Sequence, residues 1–299
     1  MDSSGAASRT AVLVCQGRAV AHGRVAVGRF DDPTASDFLR DREREVVELV
    51  RTTAVPADWR QRIDYEMVRG CAEVMVPRTV AIDDAVRESP APQLVILGAG
   101  LDGRAWRMTE LADITAFEVD HPASQQDKRD RVDARSPLAK SLRFVSVDLT
   151  RDRLDTALAT AEHDPSLPTT WIWEGVVSYL TRGDVMATVT AISALSTSGS
   201  RLIVNYQTPA LSAGLGRLAM RALTRVAHRP DPLAIEPHRS GWTPAAMRRL
   251  LANHAWTVGK DADLLSLAEG LAANVTQRRS LRNGRVLVAE RRGPRDAAE

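Results

Sequence analysis

Apolar residues follow two rhythms along the chain. Over roughly residues 10–90 they recur at helical spacing: Val12, Leu13, Ala19 and Val20, then Phe38 and Leu39, then Val46, Val47, Leu49 and Val50. Asp31-Asp32-Pro33 carries an acidic cap followed by a first-turn proline, a helix-start signal, and Pro77, Pro90 and Pro92 punctuate the approach to the next part. From 93 to 206 the rhythm changes to short apolar runs rich in β-branched residues, at 93–97, 114–119, 142–147, 170–173 and 201–205. Their spacing is that of crossover units in a parallel sheet. Val185, Met186, Val189, Ile192 and Leu195 predict an amphipathic helix over 183–195. Beyond it come a helical insertion at 209–226, a Pro/His-rich loop at 228–240, a helix from about Thr243-Pro244, and two last strands at 256–260 and 285–290. The final strand alternates Val286, Val288 and Glu290 and reads as an antiparallel partner near the sheet edge. The pattern predicts an α/β fold with a mostly parallel sheet of seven strands. A helical segment, 1–90, precedes a core at 91–299, and an insertion at about 207–240 forms a helical lid.

Composition narrows the classes of function. The 299 residues are 44% hydrophobic and 26% charged, which suits one large globular unit or a core with a cap, not a disordered chain. Forty basic against 38 acidic side chains leave a formal charge of +2, with no basic stripe of the kind a nucleic-acid partner requires. No apolar run approaches the roughly 18–20 residues of a membrane-spanning helix, and residues 1–9 lack the plan of a secretory leader. Cys15 and Cys71 read as two free thiols of a cytoplasmic chain. The scattered histidines show no metal-ligand spacing, so no protein-built metal site is expected.

The most informative stretch is Leu94-Val95-Ile96-Leu97-Gly98-Ala99-Gly100-Leu101-Asp102-Gly103-Arg104, a buried strand running into a glycine loop that opens a helix. Small residues there let the backbone approach a ligand closely. Gly98, Gly100 and Gly103 also satisfy the Gly-x-Gly-x-x-Gly pattern of dinucleotide sites, where a pyrophosphate rests on the helix N-terminus. Asp102 argues against phosphates, since its carboxylate would repel them and no cation precedes it. S-adenosylmethionine (SAM), which has an adenosine, a sulfonium and an amino-acid tail but no phosphate, fits better than NAD.

The later strand ends agree. Phe117-Glu118-Val119-Asp120 places an acid about 20 residues past the loop, where it can accept from both ribose hydroxyls. Val147-Asp148-Leu149 offers an acid and an apolar side chain for an adenine, and Trp173-Glu174-Gly175 a further acid. Asp102, Asp120, Asp148 and Glu174 thus form an acidic rim at the carboxyl edge, suited to a cationic cofactor.

These residues resemble the leucine carboxyl methyltransferase family of class I, Rossmann-like SAM-dependent enzymes, which includes many bacterial O-methyltransferases of polyketide pathways. The resemblance runs from Thr10-Ala11, Arg18-Ala19 and Phe30-Asp31-Asp32-Pro33 through Val76-Pro77-Arg78-Thr79 and Ile82-Asp83. It continues through the glycine loop, 117–122 with Lys128-Arg129, and 147–149, to Glu174-Gly175, Tyr179-Leu180 and Gly241-Trp242. It implies that Arg78 clamps the cofactor carboxylate and that Gly98, Ala99 and Gly100 pack against its backbone. It further implies that Asp120 holds the ribose, that Asp148 and Leu149 hold the adenine, and that Glu174 faces the amino group. Gly103 departs from the pattern, which usually has threonine there, and Ser124–Gln126 is unusually polar.

Methyl transfer is an in-line displacement that needs alignment and exclusion of water. A carboxylate acceptor, with a pKa of about 4, is already ionised at neutral pH and needs no base. Tyr179, Tyr206 and Arg24 are candidates to orient it. A hydroxyl acceptor would call on His238 or His121 as base. Carboxyl methylation of a small specialised metabolite is the preferred reading, with the lid residues Leu211, Leu215, Leu218 and Met220 facing the acceptor or the core. The alternatives are hydroxyl methylation, an NAD-dependent oxidoreductase, and a SAM-binding protein without turnover.

Overall fold

The computed structural model describes residues 8–133, 135–149, 151–209 and 239–293. Most of the expected lid insertion, including Leu211, Leu215, Leu218, Met220 and His238, lies outside the described residues.

Seven strands form one sheet: β1 (Gln93–Leu97), β2 (Thr115–Asp120), β3 (Ser141–Ser146), β4 (Thr169–Trp173), β5 (Arg201–Gln207), β6 (Trp256–Asp263) and β7 (Gly284–Arg291), in the order β3-β2-β1-β4-β5-β7-β6. The apolar runs therefore became strands close to their predicted bounds. The expectation of a mostly parallel sheet is corrected to a mixed one. The pairings β1–β2, β1–β4, β2–β3 and β4–β5 are parallel, whereas β7 runs antiparallel to both β5 and β6. β7 inserts between β5 and β6, and it is joined to β6 by two short helices, α10 (Leu264–Gly270) and α11 (Arg278–Asn283).

Each sheet face has its own helical layer. Leu94, Ile96, Ile172, Ile203 and Val288 point to one side. There they meet Cys15 and Ala19 of α1 (Arg9–Ala21) and Ile82, Ala85 and Val86 of α4 (Trp59–Glu88). Between those helices lie α2 (Thr34–Asp37) and α3 (Asp41–Arg51). The Asp31-Asp32-Pro33 signal starts a helix of one turn only, with the Asp32 carboxylate accepting from the Ala35 amide at 3.1 Å. On the other face Val95, Leu97, Phe117, Trp171, Trp173, Leu202 and Val204 pack against α7 (Leu154–Thr160), α8 (Arg182–Ala194) and α9 (Pro244–Ala252). Thr181 and Asp184 form a capping box on α8, and Thr243 caps α9.

β1 and β4 are buried at every residue and lie side by side. From β1 the chain turns to β2 on one side, and β4 opens the other half of the sheet. A ligand crevice in an open α/β sheet forms outside the carboxyl ends at such a switch point. The glycine loop follows β1 and Glu174-Gly175 follows β4, so both border it. Both cysteines are free thiols. Among the described residues, no helix is long and apolar enough to cross a membrane.

Candidate functional site

The loop after β1 is held by its own backbone. The amides of Gly98 and Ala99 donate to the Val119 carbonyl at 2.8 and 3.2 Å, and the Asp102 amide turns back to the Ala99 carbonyl at 2.8 Å. Gly98 has φ +68°, and a Cβ there would lie 2.1 Å from Cγ2 of Val176, so only glycine fits. Gly100 has φ +48°, and its amide donates to Asp120 at 2.6 Å. α5 (Arg104–Arg107) then begins, and α6 (Pro122–Val132) follows β2.

Beneath the loop lies a buried ionic network. Arg104 donates through Nε to Asp83 at 2.7 Å and through Nη1 to Asp102 and, at 2.9 Å, to Glu174. Arg78 places Nε 2.6 Å from the other oxygen of Glu174, and Arg107 Nη2 is 2.7 Å from Asp83. Arg18 sits 2.9 Å from Asp32 and donates to the Leu101 carbonyl at 2.5 Å. Lys128 lies 2.5 Å from Glu118 and donates to the Asp102 carbonyl at 2.7 Å. Burial alone would raise the Asp102 carboxyl, but the Arg104 guanidinium, with Arg18 and Lys128, holds it well below the usual carboxylate range. The same contest, with Arg78 and Arg104 as cations, leaves Glu174 below that range. Burial pushes Asp120 up, against the amides of Gly100 and His121.

This network corrects the picture of an acidic rim. Asp102 is compensated by Arg104, which follows it, and the carboxylate is buried. Glu174 is likewise neutralised, by two arginines. The structure brings Arg78 and Glu174 together at the loop, with Asp120 against Gly100. Asp148 and Leu149 lie beyond β3: the Asp148 carboxylate is partly exposed, 3.7 Å from Arg151, and Leu149 packs against the Trp171–Trp173 cluster. Tyr179 ends a short 3-10 turn at 177–179 after Glu174-Gly175. Tyr206 is buried with its hydroxyl 3.0 and 3.2 Å from the Asp261 oxygens, and Asp261 also pairs with Arg285 and Arg248. Burial and the Asp261 charge push that hydroxyl well above the ordinary tyrosine range. Arg24 donates to the Arg51 carbonyl at the surface. His121 caps α6, with Nδ1 accepting from the Ala123 amide at 3.3 Å.

Where threonine was expected at Gly103, the place of a side chain is taken from α2. A Cβ on Gly103 would lie 2.0 Å from Oγ1 of Thr34, which donates to Asp32 at 2.7 Å.

Sequence reasoning gave no role to Arg104, Asp83, Glu118 or Lys128. Glu118 did carry a signal, since a carboxylate inside a strand buried on both faces needs a partner. Its burial pushes the carboxyl up to about 7, against the pull of Lys128. The folded protein therefore keeps a proton at Glu118 that the unfolded chain releases from about pH 4.5, and this contribution to stability is lost as the pH rises through about 7. Glu118→Gln should abolish that slope. Denaturant melts from about pH 5 to about pH 8 should show the variant gaining up to about 3 kcal/mol on the wild type. A constant difference across the range would show that Glu118 is ionised throughout.

A family model described as leucine carboxyl methyltransferase matches residues 11–193, which span the glycine loop, Arg78, Asp120 and Glu174. The chain belongs to this family. A protein of Mycobacterium sp. (strain JLS), named as an S-adenosyl-L-methionine-dependent methyltransferase, is 34% identical over 223 residues, covering 74% of this chain and 72% of its own. One from Streptomyces coelicolor with the same designation is 39% identical over 132 residues, 43% of this chain and 46% of its own. Among solved structures, a DUF574 family protein from Streptomyces avermitilis superposes with a TM-score of 0.56 at 12% identity, covering 96% of this chain and 98% of its own. At that identity the likeness concerns the fold alone. Membership of the leucine carboxyl methyltransferase family replaces the oxidoreductase reading of the Gly-x-Gly-x-x-Gly pattern.

Proposed function

We propose that the chain is a SAM-dependent O-methyltransferase that converts a carboxylate of a small specialised metabolite to its methyl ester. Three features of the site fit the cofactor. The positive φ of Gly98 and Gly100, with Val176 and Ala11 where a Cβ would lie, keeps this stretch of loop backbone free of side chains at both glycines. Apart from its ion pair with Glu174, the buried Arg78 guanidinium makes no hydrogen bond among the described residues, which suits it to a carboxylate. Asp120 retains lone pairs for ribose hydroxyls beyond those given to the Gly100 and His121 amides. Asp148 and Leu149 are the candidates for the adenine, and Ala99 lines the loop between the glycines. When bound, the cofactor supplies a methyl group activated on a sulfonium.

The observation that carries the carboxylate reading is the commitment of the ionisable groups around the loop. Asp102 and Glu174 are paired with arginines, Asp120 accepts from two amides, and His121 caps a helix. An acceptor that arrives ionised asks none of them to take a proton. Tyr179, next to Glu174-Gly175, is the candidate to orient it, whereas Tyr206 serves to hold Asp261. A cytoplasmic location accords with two free thiols.

The test is a single-turnover assay on a panel of small carboxylic acids with saturating SAM. Rates should change little from about pH 6 to about pH 8, and His121→Ala should cost far less than the roughly 100-fold of a lost general base. A rate that climbs about tenfold per pH unit, or turnover only with phenols and alcohols, would assign a hydroxyl acceptor.

A further inference from the structure

The lysine beneath the glycine loop is an expensive choice for its position. Lys128 belongs to α6, a strongly polar helix, yet it is 1% exposed. Its ammonium is shared among three neighbours: the Glu118 carboxylate at 2.5 Å, the Asp102 carbonyl at 2.7 Å and the face of Trp106, whose ring centre is 4.9 Å away. Burying an ammonium is unfavourable by several kcal/mol before its pairing with the Glu118 carboxyl is counted, and apolar residues of similar volume would fill the space at less cost. What only the ammonium supplies is a donor to the loop carbonyl. The Asp102 carbonyl belongs to the peptide that leads into Gly103, and the Asp102 amide is already tied to Ala99. Fixing both ends of Asp102 fixes the turn that carries Gly100 and so the contact of its amide with Asp120.

We infer that Lys128, backed by Glu118, is a positioning residue that sets the glycine loop in its cofactor-binding shape. The inference rests on the proposed use of SAM at this loop. Lys128 does not touch the cofactor in this account. It acts through the Asp102 carbonyl, as Arg18 does through the neighbouring Leu101 carbonyl.

The test uses Lys128→Met paired with Glu118→Gln, which removes the ammonium and the carboxyl beside it together, leaves no ionisable group alone at that position and keeps an unbranched stem against Trp106. Lys128→Arg serves as the conservative variant. Two quantities are read on the full chain: the dissociation constant for SAM by calorimetry, and hydrogen exchange of the 98–103 amides without ligand. In the double variant SAM should bind at least about tenfold more weakly, the loss expected for one charge-assisted hydrogen bond. The loop amides should exchange faster while those of β1 and β4 do not, and Lys128→Arg should recover most of the affinity. Unchanged SAM affinity in the double variant would overturn the inference, whether or not its melting temperature falls. Failure of the wild type to bind SAM would instead count against the proposed function, and the exchange measurement would still report on the loop.

Discussion

Replacing Arg104 with methionine should destabilise the protein by about 3–5 kcal/mol, the range for removing one partner of a buried ionic cluster. Arg104 is 1% exposed and answers three carboxylates, those of Asp83, Asp102 and Glu174. Methionine fills similar volume, so the loss would come from charge and not from a cavity. Asp83 would keep Arg107 and Glu174 would keep Arg78, but Asp102 would lose its only side-chain ion pair among the described residues. Its carboxyl, now held low, would rise toward protonation, and the variant should become less sensitive to acid than the wild type. The wild type gains from Asp102 and Glu174 above the ordinary carboxylate range and loses that gain as the pH falls through their depressed values. A melting temperature lower by roughly 5–8 °C is the expected reading. Adding Asp102→Asn should recover part of it. A loss below about 1 kcal/mol would mean that solvent screens the cluster.

Arg78→Ala should weaken SAM binding by about 10- to 100-fold, the worth of a charge-assisted contact to a carboxylate. Its effect on folding should be smaller than that of Arg104→Met, because Glu174 keeps Arg104 at 2.9 Å when Arg78 is gone. Arg78→Lys should not restore full affinity, since an ammonium cannot reproduce a planar fork that faces Glu174 through Nε and would offer its terminal nitrogens to the cofactor carboxylate. The pattern separates a ligand clamp from a structural ion pair: the clamp loses affinity at nearly constant stability, the ion pair loses stability at constant affinity.

The sheet was legible because its central strands are buried on both faces and read as unbroken apolar runs, Leu94 to Leu97 and Trp171 to Trp173. The glycine loop was legible because the positive φ angles at Gly98 and Gly100 demand residues without a Cβ. The electrostatics were not. Asp102 read alone as a repulsive acid, and only the fold shows that a residue two positions on, Arg104, turns back to neutralise it while reaching Asp83 from α4 and Glu174 from beyond β4. Those partners are separated by up to 70 residues in sequence, so no local pattern joins them. The surroundings of Tyr206 were hidden for a related reason. Its place at the end of β5 suggested the crevice, but it points to the face occupied by Trp171 and Trp173, where Asp261 of the edge strand takes its hydroxyl. The order β5-β7-β6, which brings that edge close, rests on the pairing of β7 with strands far from it in sequence.

The most direct measurement is a calorimetric titration of SAM into the full chain, run side by side with Arg78→Ala and with NAD as competing ligand. One SAM should bind per chain, NAD should give no heat, and Arg78→Ala should bind at least about tenfold more weakly while melting close to the wild type. Binding of SAM with equal affinity to wild type and variant, or heat with NAD and none with SAM, would contradict the placement of the cofactor between the glycine loop and Arg78.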